Sequence, residues 1–170
     1  MKYEIPEDQV KKAKAPHELF LTNLIGNHIL WFVAALGVYG SFWQPMALVP
    51  VLSLLTIFYT LWRANKAKSS DSWFVMCHWQ ICARRSKVLL LMFSILGMVA
   101  LLGWVGYTYF GMMEVAVQAM IGGMGVLPVM VTVLVLIVME SDAMHQATQQ
   151  SVPKGVVERF PNSEMVPLEE

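Results

Sequence analysis

Between Leu19 and Trp62 the chain contains no Asp, Glu, Lys or Arg, a run of 44 residues in a protein of 170. Charged residues are scarce throughout, at 14%, while apolar residues reach 56%; soluble domains average about 25% charged and about 45–50% apolar. That imbalance excludes an ordinary water-soluble fold. As a single helix the charge-free run would measure about 66 Å at roughly 1.5 Å per residue, twice the hydrocarbon thickness of about 30 Å, so it must reverse. Cysteine is rare too, with only Cys77 and Cys82, which excludes a disulfide scaffold. The C-x4-C spacing is not the C-x2-C of zinc knuckles or thiol oxidoreductases, so both read as small side chains. If their segment is cytoplasmic, they are reduced thiols.

What is present is a set of long apolar runs. The first reversal belongs at Gly40-Ser41-Phe42-Trp43-Gln44-Pro45, where glycine and proline punctuate and the aromatics suit an interface. Two further uncharged stretches, Val88 to Met113 and Val115 to Met139, are separated by Glu114 alone. The expected fold is therefore an all-α integral membrane protein, a four-helix transmembrane bundle of two hairpins, with spans at about 20–39, 46–62, 88–110 and 115–139. The first span follows a mixed-charge segment without a small-residue cleavage pattern and reads as a retained anchor.

Orientation follows from the twelve Lys and Arg. Four precede span one, six lie between spans two and three, and two follow span four, whereas the opposite turns carry none. Cationic flanks stay on the cytoplasmic side, so residues 1–18 and 140–170 are both expected there, in a bacterial inner membrane. The small outer turns leave the bilayer, the cytoplasmic face or another membrane protein as the places where recognition occurs. Membrane lipids and either a second membrane protein or self-association are the expected partners, and no nucleic acid is.

Outside the spans, Pro6 opens a short surface helix that Pro16 is expected to end. Residues 70–83, with Trp73 and Trp79 in a stretch too short to span, read as an interfacial amphipathic helix in the inner headgroup layer. Arg84, Arg85 and Lys87 would then contact lipid headgroups. Beyond Gln150, Pro153, Pro161 and Pro167 suggest a solvated tail. The words Val33-Ala34-Ala35-Leu36-Gly37 and Val99-Ala100-Leu101-Leu102-Gly103 echo each other, as do Leu48 to Leu52 and Val126 to Met130; apolar helices share such words readily, and a duplicated hairpin is one reading of them.

No catalytic signature stands out. His28 is the ionisable side chain within a span, with Asn23 and Asn27 beside it as an intramembrane polar cluster that must face other helices. It reads first as packing hydrogen bonds, and secondly as a haem ligand, quinone contact or proton relay; haem is disfavoured because no second histidine lies at matched depth, and no cofactor or metal is expected. His78, Asp142 and His145 are inner-face candidates for acid–base or metal chemistry, against an ordinary polar helix end. Gly122, Gly123, Gly125 and Pro128 mark span four for close helix packing. The expected function is a non-enzymatic accessory or assembly subunit of a larger membrane complex. The alternatives are a small redox or lipid-active enzyme using His28 or the inner-face residues, and an oligomeric channel or transporter.

Overall fold

The computed structural model describes residues 1–42, 44–162, 165, 167 and 168. Four helices are long and apolar enough to cross a membrane: α1 (Glu7–Val38), α2 (Gln44–Ser70), α3 (Trp73–Phe110) and α4 (Glu114–Thr148). A short α5 (Lys154–Val157) lies in the tail. Among the described residues there is no strand, only an isolated antiparallel bridge between Lys2 and Ser151.

Each of the four helices overlaps one expected span, α1 stopping one residue short of its end at Val38, and each is longer than that span. Hydropathy stops at the first charge, but the backbone i→i−4 bonding that defines a helix does not. At 38 residues α3 is about 57 Å long, so about half of it exceeds a 30 Å apolar layer. The extensions gather at one end: the start of α1, the end of α2, the start of α3 and the end of α4 pack together there as a cap.

Three sequence expectations change here. The helix does not end at Pro16, which lies buried inside α1. Proline removes the bond that would reach the Lys12 carbonyl, and Lys12 is exposed, so that carbonyl stays near the surface. The separate interfacial helix at 70–83 is instead the first three turns of α3, continuous with the third span. No glycine or proline interrupts α3 before Gly97, and Phe74, Val75, Cys77 and Trp79 bury themselves against the chain termini. Finally, the start of the tail is packed rather than solvated. Val152 is 1% exposed, its N–H donates to the Met1 carbonyl at 3.0 Å, and Trp73 Nε1 donates to the Phe160 carbonyl at 2.7 Å.

The core has two parts. Tyr3, Ile5, Ala13, Ala64, Phe74, Trp79 and Ala147 fill the cap, with the Tyr3 and Trp73 rings edge to face at 5.1 Å. Phe20, Leu24, Ile57, Leu89, Val129 and Val133 fill the level of the apolar spans. The turn between α2 and α3 is pinned by Arg63 and Asp71, 2.7 Å apart, and by Gln80 Nε2 donating to the Ala64 carbonyl at 2.6 Å. At the other end α3 stops at Gly111, whose φ of 65° favours glycine, with Met112 N–H donating back to the Gly106 carbonyl at 3.1 Å.

Two stretches are π-helical: Thr22–Trp31 within α1 and Ile121–Val126 within α4. The second contains Gly122, Gly123 and Gly125 and ends just before Pro128. Only Gly125 of these makes the expected close approach. A methyl group there would meet Leu96 Cδ1 at 2.6 Å, whereas Gly122 and Gly123 face open space. Pro128 lies inside α4, two residues past the π-helical stretch, where it has no N–H to give to the backbone ladder.

Candidate functional site

Where the cap meets the spans, α1, α3 and α4 place His17, His78, Arg85 and Glu140 in one buried knot. His17 Nδ1 donates to Glu140 Oε2 at 2.5 Å, and His17 Nε2 lies 3.0 Å from His78 Nδ1. Arg85 Nη1 is 3.1 Å from the other carboxylate oxygen. The two imidazoles meet edge to face at 5.2 Å, and Phe74 covers His78 at 4.8 Å. A carboxylate only accepts, so His17 carries its proton on Nδ1. In the neutral rings, Nε2 of His17 then accepts from Nδ1 of His78. Beside the knot, the Cys82 thiol donates to the Pro16 carbonyl at 3.3 Å.

The helices dictate this arrangement. On α4 the inward stripe runs Val129, Val133, Leu136, Glu140, Ala143, Ala147, at spacings of four and three. Glu140 therefore occupies a core position and must be paired. The same stripe on α1 passes through Ala13, His17, Phe20 and Leu24, and on α3 through Val75, His78, Cys82, Ser86 and Leu89. Charge or polarity inside an apolar heptad-like stripe is the sequence signal that marks Glu140 and His17.

The expected inner-face trio is not assembled. His78 is fully buried, but Asp142 and His145 are exposed and bond within their own helix, to Gln146 at 2.6 Å and to Gln149 at 2.9 Å. At about 100° per residue Asp142 and His145 point about 160° and 140° away from Glu140, together on the opposite face of the helix. Among the described residues no three His, Cys, Asp or Glu side chains converge to hold a metal ion.

Asn23, Asn27 and His28 do come together. Asn23 Nδ2 donates to Ser53 Oγ at 3.0 Å, and Asn27 Nδ2 donates to the Val49 carbonyl at 2.8 Å and to Asn23 Oδ1 at 3.2 Å. His28 Nδ1 donates to the Asn23 carbonyl at 3.1 Å. Positions five apart diverge on an α-helix; the π stretch, with its i→i+5 bonding, turns His28 back above Asn23. The His28 ring stacks on Phe93 at 5.6 Å, and its Nε2 has no hydrogen-bond partner. His28 also lines an apolar cavity of about 480 Å³, with Phe32, Phe93, Leu96, Val126 and Met130 among its walls.

The third feature is a groove of about 770 Å³ between α3, α4 and the tail, where Arg84, Arg85 and Lys87 meet Arg159 above an apolar floor. Neither a family model, nor a curated protein, nor a solved structure matches this chain.

Proposed function

We propose that this protein is a non-enzymatic accessory or assembly subunit of a larger complex in a bacterial inner membrane, a four-helix bundle of two hairpins with both termini in the cytoplasm. The observation that carries the reading is the sealed state of its most reactive groups. His17, His78, Glu140 and Cys82 are each 0% exposed: His17 bonds to both Glu140 and His78, Cys82 bonds to a backbone carbonyl, and His78 Nε2, though without a hydrogen-bond partner, is buried away from the surface. A carboxylate–imidazole pair can serve as a base, but one that no substrate reaches serves as a clamp between three helices. By contrast, little of the apolar surface is used internally, with only 11% of the most apolar window of α3 buried. Lipid or a partner helix must cover the rest. The asymmetry of the twelve Lys and Arg supports the orientation.

Extraction in mild detergent at native abundance, followed by size analysis and identification of co-purifying chains, tests this proposal. A larger stoichiometric assembly is expected. A protein running solely as a monomer under every mild condition overturns it.

A second reading, a small redox or lipid-active membrane enzyme centred on His28, is favoured by the unpartnered Nε2 and the apolar cavity beside it. An absorption spectrum of the purified chain and the activity of a His28→Ala variant separate the two. Loss of a chromophore or of function on His28→Ala would favour the second reading, and neither would leave the first.

A further inference from the structure

The groove between α3, α4 and the tail is built from two chemistries at one level. Arg84 and Lys87 stand immediately before the uncharged run that begins at Val88, and Met139 closes the uncharged run of α4 beside them. Arg159 reaches the same place from the opposite wall because the tail folds back: Trp73 Nε1 holds the Phe160 carbonyl at 2.7 Å, and Val152 is anchored under Met1. Below the cations the floor is apolar, formed by Val131, Val135 and Leu136. No acidic side chain lines the groove among the described residues.

The cations differ in how they are committed. Arg85 is tied to Glu140 at 3.1 Å, and on the other side of α3 Arg63 is tied to Asp71 and lies 4.9 Å over the Trp79 ring. Arg84, Lys87 and Arg159 are exposed and make no ion pair among the described residues. Three uncommitted cations on two facing walls, with an apolar trough directly beneath, match an anionic headgroup joined to a hydrocarbon chain. A free anion would leave the trough unfilled, and a zwitterionic lipid would leave the charge unanswered.

We propose that this groove is a specific site for one anionic phospholipid, its phosphate held by Arg84, Lys87 and Arg159 and an acyl chain lying along Val131 and Val135. The lipid would join the tail to α3 and α4 and so brace the cytoplasmic cap. This inference rests on the cytoplasmic placement of the cap proposed above.

The test is native mass spectrometry of the purified, delipidated full chain titrated separately with phosphatidylglycerol and phosphatidylcholine. One retained phosphatidylglycerol is expected, at an affinity at least tenfold above phosphatidylcholine. The triple variant Arg84→Gln, Lys87→Gln, Arg159→Gln should lose that preference, while Lys11→Gln, Lys12→Gln, Lys66→Gln, with the same charge loss elsewhere, should keep it. Val135→Trp fills the trough without altering charge and should also weaken retention. Equal loss in the two triple variants, equal retention of both lipids, or full retention by the Val135→Trp variant overturns the proposal. Circular dichroism of each variant separates misfolding from lost binding. The outcome does not depend on whether a larger complex is found, so the two proposals fail separately.

Discussion

Replacing Glu140 with Gln preserves side-chain volume and removes one charge from the buried knot. Arg85, whose side chain is 15% exposed, then loses its counterion, and His17 faces a neutral amide in place of a carboxylate 2.5 Å away. Removing one member of a buried pair costs about 3–5 kcal/mol. Because Arg85 retains some solvent contact, the lower end applies, and about 3 kcal/mol is roughly a hundredfold in an equilibrium constant. Cys82 supplies the readout, since its thiol is fully buried next to the knot and bonded to the Pro16 carbonyl. In a Cys77→Ala background, maleimide labelling of Cys82 under native conditions reports opening of the cap. Glu140→Gln should label roughly a hundredfold faster. Asp142→Asn, exposed two residues away, should stay within threefold of the parent, as surface changes typically cost under about 0.5 kcal/mol. Equal rates for the two variants would refute the assignment of the clamp. A further check is to exchange His17, Arg85 and Glu140 together for Leu: burying no charge, that variant should be more stable than Glu140→Gln alone.

Asn27→Ala should lower stability in detergent by about 1–3 kcal/mol, because it strips a donor from Asn23 Oδ1 and the Val49 carbonyl in a place water does not reach; an unchanged melting temperature would count against the cluster. Gly125→Leu should cost about 1–3 kcal/mol by pressing on Leu96, whereas Gly122→Ala, facing open space, should be neutral or stabilising by up to about 1 kcal/mol, both measured by thermal unfolding. Trp73→Phe removes the bond to the Phe160 carbonyl, worth about 1 kcal/mol, and should speed tryptic cleavage after Arg159 several-fold; cleavage at the parental rate would show that the tail is held otherwise.

Helix number was legible because it follows from local composition: three long charge-free stretches, the first of 44 residues and punctuated at Gly40 to Pro45, divide into four apolar segments, and four helices long and apolar enough to cross a membrane are present. Helix length was not. The charges at Glu18, Arg63, Lys87 and Glu140 end the hydropathy signal, yet the backbone ladder continues past all four of them. The Asn23, Asn27 and His28 cluster was also legible, since polar groups on an apolar helix must seek partners. Its partners Ser53 and the Val49 carbonyl were not, and neither was the π stretch that aims His28, because hydropathy carries no record of a hydrogen-bond register.

The cap illustrates the other limit. Its bonds join residues far apart in the chain: His17 to His78, His17 to Glu140, Met1 to Val152 and Trp73 to Phe160. Composition and charge distribution suffice for the number of apolar helices and for an expected orientation, since both depend on the transfer of short segments between water and hydrocarbon. Whether Glu140 is a solvated helix end or the buried centre of a clamp depends on which helix lies against it, and that emerges when three separate stripes meet and no water remains between them.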